Sequence, residues 1–166
     1  MDQALRVSFN SPQSGFMSIG LENDQQSFVA AVSHEPYDSV RDLINALLAL
    51  LDGAERATVK WNQEPEEYDF EFIRTDEQVQ LSVIRYTDHH RLAEKREQVF
   101  SHTGSVRGLC LSFREVLRRL HLDRRTDEYA KNWRREFPAA EFLQLKRRIK
   151  ALPPPMAYIV GGEIKG

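Results

Sequence analysis

From Ala57 to Val83 the chain alternates apolar and polar side chains over three short runs, and this period of two narrows the choice of fold most. Ala57, Val59 and Trp61 alternate with Thr58, Lys60 and Asn62; Tyr68, Phe70 and Phe72 with Asp69 and Glu71; Val79, Leu81 and Val83 with Gln80 and Ser82. Successive side chains of a strand point to opposite faces, so each run is a strand with one face on a core and the other toward water. Half-buried strands of this kind belong to antiparallel sheets. Turn-type residues separate them, Asn62 to Glu67 with Pro65, then Thr75-Asp76-Glu77. With a weaker strand over Glu94 to Ser101, they make a meander of three or four strands.

A second meander opens the chain. Leu5 to Phe9, Phe16 to Leu21 and Ser27 to Val32 have strand character, and Met17, Ile19 and Leu21 alternate with Ser18 and Gly20. Asn10 to Gly15 and Glu22 to Gln26 read as hairpin connections. Between the meanders lies a helix whose stripe is Val40, Leu43, Ile44, Leu47 and Leu51. Ser39 is its expected cap, with Asp42 three residues on, and Asp52-Gly53 its expected stop.

After residue 104 the period changes to that of helices. Ser105 can cap a helix carrying Val106, Leu109, Cys110, Phe113, Leu117 and Leu120 on one face. Thr126 can cap another, with Tyr129 and Trp133 one turn apart. Ala139 to Leu152 carries Phe142, Leu145, Ile149 and Leu152 in a stripe, and Pro153-Pro154-Pro155 ends it. Strands and helices are clustered, which predicts an α+β fold. Its sheet is largely antiparallel, with six to seven strands in two meanders, a central helix after the third strand and a C-terminal layer of two to three helices. Residues 1–152 form the predicted domain, and 153–166 a Pro-led extension in which Tyr158-Ile159-Val160 could add an edge strand. The inner face should be Met17, Ile19, Val59, Trp61, Phe70, Phe72, Leu81 and Val83, packed against Leu43, Leu47, Leu109, Phe113 and Phe142.

A chain of 166 residues with 41% hydrophobic and 29% charged side chains can bury its own core without staples. Its one cysteine, Cys110, is expected as a buried free thiol. The start MDQALRVSFN has no secretory pattern, and no apolar run is long enough to span a bilayer, so a cytoplasmic, soluble protein is expected. Net charge is −2, but residues 1–104 hold 9 basic against 18 acidic side chains, and residues 105–150 hold 13 against 6. Either basic helices cover an acidic sheet, or the two halves face different partners.

Gly-rich phosphate loops, GxSxG, HExxH, EF-hand and zinc-cysteine patterns do not occur in the sequence. Three clusters carry the candidate chemistry. The first is Trp61, Glu64, Glu66, Glu67 and Tyr68, an acidic, aromatic-bordered segment that could dock a basic partner protein. The second is Arg118, Arg124, Arg125, Trp133, Arg134 and Arg135, basic side chains beside an aromatic, suited to a nucleic-acid backbone. The third is Asp88, His89, His90 and His102, a candidate metal or catalytic site. Neighbouring histidines in an extended chain diverge, so that site needs ligands from elsewhere. Each cluster also has a plain alternative: a hairpin loop of solvated charges, solvated helix faces, and a polar loop between strands.

In size, single thiol and acidic strand-rich half, the chain resembles the small α+β immunity proteins of bacteria, in overall style rather than by any motif. The resemblance implies a factor that binds and blocks a partner. The leading expectation, a non-enzymatic protein-interaction domain with no cofactor, rests on the missing catalytic signatures together with the acidic, aromatic-bordered 61–69 segment; an inhibitor or immunity-type factor is one form it could take. A nucleic-acid-associated accessory protein and an enzyme or metal site stand as the alternatives. A homodimer through an exposed strand edge is also compatible with the sequence.

Overall fold

The computed structural model describes residues 4–122 and 126–153. Seven strands form one antiparallel sheet in chain order: β1 (Arg6–Phe9), β2 (Phe16–Glu22), β3 (Ser27–Ser33), β4 (Arg56–Asn62), β5 (Glu67–Thr75), β6 (Gln78–Tyr86) and β7 (Glu97–Ser105). Helix α1 (Ser39–Leu51) separates β3 from β4, and α2 (Val106–Leu122), α3 (Thr126–Trp133) and α4 (Ala139–Lys150) follow β7. The α+β class, the antiparallel sheet and the helix after the third strand match the sequence reading.

The two meanders meet at one point. β2 and β3 pair along their whole length, as do β4 and β5, but β3 and β4 share the single bridge Ser33–Asn62. From that corner the first meander folds over the inner face of the second. Phe28 of β3 packs its ring 5.0 Å from Tyr68 of β5, and Phe9 of β1 lies 6.0 Å from Trp61 of β4. At the far side the β2–β3 turn reaches the β7 edge, where Asn23 Nδ2 donates to the Ser101 carbonyl at 3.1 Å and Gln26 Oε1 accepts the Ser101 N–H at 2.8 Å. These two amides satisfy backbone groups on β7 as a neighbouring strand would.

The expected inner-face residues and the helix residues set against them are all buried. Phe113 of α2 sits among Phe9, Phe70 and Phe72 and joins both meanders to the helical layer. α1 packs along β4 and against α4. Its C-terminus closes as the sequence suggests: Gly53 takes a φ of 100°, its N–H bonds Leu50 O, and Ala54 N–H bonds Ala49 O.

Three local expectations need correction or limits. Ser39 does not cap α1, because its hydroxyl donates to the Lys60 carbonyl and fastens the helix to β4; Asp38 is the N-cap residue, without a side-chain cap bond. The weak strand expected over Glu94 to Ser101 is β7, shifted to Glu97–Ser105, since Ala93–Lys95 form a single 3₁₀ turn. Tyr158 to Val160 lie outside the described residues. Ser105 does cap α2, its Oγ accepting the Gly108 N–H at 2.9 Å. Cys110 is a buried free thiol. No helix among the described residues is long and apolar enough to cross a membrane.

Candidate functional site

The corner where β3 meets β4 gathers four pieces of chain: the 62–67 hairpin tip, segment 34–37, the β6–β7 loop and the start of β5. Asn62 ties two of them, donating from Nδ2 to the Glu35 carbonyl at 2.8 Å and accepting the Glu64 N–H at Oδ1 at 3.0 Å. That acceptance steadies Glu64 in a left-handed conformation, φ 59°, with its side chain exposed at the tip.

Alternation on β5 sends Glu67, Asp69 and Glu71 to the outer face while Tyr68, Phe70 and Phe72 fill the core. Three carboxylates in a row need cations, and arginines from the same half of the chain supply them. Arg91, in the β6–β7 loop, lies 2.6 Å from Glu67 Oε1 and 2.8 Å from Asp69 Oδ1. Its guanidinium sits 5.6 Å from each of the Tyr37 and Tyr86 ring centres. Tyr37 donates its hydroxyl proton to Glu67 at 2.7 Å. Arg96 grips Glu71 at 2.6 Å and donates to Tyr86 Oη at 3.0 Å. Arg85 bonds Glu66 at 2.9 Å and faces Glu97 at 3.5 Å.

The titrations follow from this packing. Burial works against the charge of Arg91, but hydrogen bonds to Asp69, Tyr37 and Glu67 outweigh it and raise its pKa. The Tyr37 phenol is raised by burial first and then by its bond to Glu67. The Tyr68 phenol is raised by burial and by the nearby Glu66 charge.

Of the predicted docking cluster, Trp61 is fully buried and Tyr68 nearly so, both on the core side. Glu67 is only 2% exposed and belongs to the Arg91 network. Glu66 is half-buried against Arg85, which leaves Glu64 as the exposed acid of this cluster. Sequence reasoning missed Tyr37, Asp69, Arg85, Arg91 and Arg96 as site residues. The signal was present in the acidic face of β5, which required cations without saying which.

The basic cluster is dispersed. Arg118 pairs with Glu115 at 3.0 Å, and Arg135 donates to the carbonyls of His34 and Pro36. Trp133 is fully buried and Arg134 lies just after α3, in a left-handed conformation with φ 68°. Arg124 and Arg125 lie outside the described residues. Farther along, Arg148 of α4 reaches Asp52 at the end of α1, so some basic helical charge does meet the acidic half, while Arg41 of α1 pairs the other way with Glu141 of α4.

The histidines are not brought together. The rings of His89 and His90 lie 4.1 Å apart and tilted by 36° in the β6–β7 loop, where Asp88 Oδ1 accepts the His90 N–H. His102 is buried on β7 opposite Leu81, five residues in from the Glu97 end of the strand. At strand rise that is about 16 Å from the loop. No group of three or more metal-type ligands occurs among the described residues.

The edge of β3 completes this end of the molecule. The Asn23 N–H to Gln26 O bond sets the hairpin so that Leu21–Phe28, Ile19–Ala30 and Met17–Val32 exchange the β2–β3 bonds. Ser27, Val29, Ala31 and Ser33 therefore turn their backbone groups away from β2, and among these Ser33 meets β4. Ser27, Val29 and Ala31 are exposed, Val29 to 72%. Comparison with protein-family models, with curated proteins and with solved structures finds no match to this chain.

Proposed function

We propose that this chain works by binding another protein through the corner formed by the 62–67 hairpin tip, segment 34–37 and the β6–β7 loop. The observation that carries the reading is the cross-bracing of these loops. Asn62, Tyr37, Arg91 and Arg85 fix them to one another, so a partner would meet a surface already in its bound shape and little ordering cost would be added. That surface exposes Glu35, Glu64, Glu94 and Glu97 beside the apolar Pro65 and Leu92, with Lys95 and the Glu71-paired Arg96 as its exposed cations in the β6–β7 loop. Trp61 and Tyr68 serve it from beneath as packing rather than as contacts. An inhibitor or immunity-type factor is the form this reading takes.

The test is capture from native-host lysate with the tagged full chain and with the double variant Glu35→Lys/Glu64→Lys, each with and without nuclease. A protein held stoichiometrically by the parent in both arms, and at least tenfold less by the variant, is the expected result. Equal recovery by parent and variant would remove the corner as the docking surface. Partners lost on nuclease treatment would instead favour a nucleic-acid role for the exposed Arg119, Arg147 and Lys150 of the helical layer.

A further inference from the structure

We infer that the open edge of β3 is a strand-docking site for an extended, lysine- or arginine-bearing segment of a partner protein. The inference rests on the protein-binding reading and gives it a mode of contact.

The register assigns three consecutive outward-facing residues, Ser27, Val29 and Ala31, whose N–H and C=O groups point away from β2. Nothing among the described residues hydrogen-bonds the backbone of Val29 or Ala31 on that side. Proteins blunt such edges with charge, proline, bulges or a covering side chain. The β7 edge has such cover, with Asn23 and Gln26 capping Ser101. β3 has none: the run Ser27-Phe28-Val29-Ala30-Ala31-Val32-Ser33 carries no charge and no proline and pairs with β2 without a bulge. An added strand would find a straight row of donors and acceptors, the main-chain part of β-augmentation.

Charge around the edge selects the occupant. The Ser33–Asn62 bridge sets the Glu64 tip at one end, and Asp24, in the β2–β3 turn, stands at the other. Between them Phe28 rests on Tyr68, whose hydroxyl lies among Arg85, Glu66 and Glu97. Arg6 faces Asp24 at 3.7 Å, yet four carboxylates against two guanidiniums, Arg6 and Arg85, still leave the rim acidic and favour a basic strand. The same balance disfavours a second copy of this chain, since antiparallel self-pairing would bring two acidic rims together.

The test begins with the parent protein, so that no variant need fold. Amide hydrogen exchange should show Val29 and Ala31 exchanging at least a hundredfold faster than Phe28 and Ala30, their neighbours in the same strand. Protection of Val29 and Ala31 in the free chain that disappears on truncation after Pro153 would give the edge to residues 154–166 and overturn the partner assignment.

Binding is then read with Val29→Pro and, independently, Ala31→Pro. Each removes a donor that β2 does not use, so the melting temperature should stay within about 3 °C of the parent. In the lysate capture, both variants should lose the partner at least tenfold, and the captured protein should slow Val29 and Ala31 exchange in the parent. Full retention by both proline variants, with loss only in Glu35→Lys/Glu64→Lys, would overturn strand docking while leaving the corner reading intact. Retention by all variants, or capture of nothing by the parent, would overturn both. A concentration-dependent dimer abolished by Val29→Pro would assign the edge to a second copy and overturn the basic-segment proposal.

Discussion

Burying the carboxylates of Glu67 and Asp69 on a sheet face costs several kcal/mol unless a cation meets them, and the cation here comes from a loop. Arg91 answers both, with Asp69 held through Nε and Nη2 and Glu67 through Nη1, and the tyrosine rings keep water from its faces. Removing one partner of such a group leaves charge stranded rather than merely losing a contact. Arg91→Ala should therefore destabilise the fold by about 3–5 kcal/mol. Arg91→Ala combined with Glu67→Gln and Asp69→Asn should recover a large part of that loss. Urea unfolding of the series checks this, and an Arg91→Ala protein within about 1 kcal/mol of the parent would contradict it. Cys110 makes the opposite case, a group kept neutral by its surroundings. Burial pushes its thiol from 9.0 up to about 12, slightly offset by the distant Arg74 charge. A raised pKa in the folded state means that the unfolded chain releases this proton first. The thiol's contribution is thus whole below pH 9 and lost as pH climbs toward 12. Cys110→Ala should unfold less steeply with pH over that window, and in the parent at pH 8 iodoacetamide should label the thiol only when the protein is unfolded.

At the scale of elements, the legible and illegible parts of the fold divide along a physical line. Alternation and stripe are local, so the strands of both meanders, α1, the Ser105 cap and the Asp52-Gly53 stop could be read from neighbours in sequence. What sequence could not reveal is where an element's backbone turns next. Ser39 looks like a cap because its type suits one, yet the Lys60 carbonyl 21 residues away takes its hydroxyl. The Ser27 to Val32 run reads as the third strand of the first meander, with nothing local to say what lies on its far side; it bridges β4 at one residue and leaves Ser27 to Ala31 as an edge. The docking cluster failed to hold together for the same reason: Trp61, Glu67 and Tyr68 are neighbours of Glu64 along the chain but face the core or Arg91. β3 allows a prediction that separates its two sets of amides. Ala30→Pro strikes a residue that bonds β2 and should cost about 3 kcal/mol or more, whereas Val29→Pro one position away should cost little. Equal destabilisation by both substitutions in thermal melts would show that the edge is not open.

For the whole molecule, the uneven charge along the chain does not translate into two opposed faces. The β5 acids are neutralised by Arg91 and Arg96 and the neighbouring Glu66 by Arg85, all from the acidic half, while Arg148 and Arg41 stitch α1 to α4. The core is likewise undivided. One continuous set of buried side chains runs from Met17 and Ile19 of the first meander, through Phe70 and Leu81 of the second, to Phe113 and Leu117 of α2 and Phe142 and Leu145 of α4. The sheet itself offers little to couple the meanders, since β3 and β4 share one bridge, so their cooperation rests mainly on Phe9, Phe28 and Phe113 packing across the fold, with the Asn23 and Gln26 bonds to Ser101 beside them. Unfolding should therefore be a single transition, with far-UV dichroism, near-UV dichroism and Trp fluorescence giving the same midpoint in urea. Phe113→Ala should lower that midpoint by the equivalent of about 3–5 kcal/mol, since it leaves a cavity among three aromatic neighbours, Phe9, Phe70 and Phe72, that cannot all collapse into it. It should do so for every probe alike. If the probes separated in this variant, with the first meander melting before the second, the aromatic contacts would be shown to be the link that the sheet does not provide. If they separated in the parent, the two meanders would be independent folding units joined by a corner.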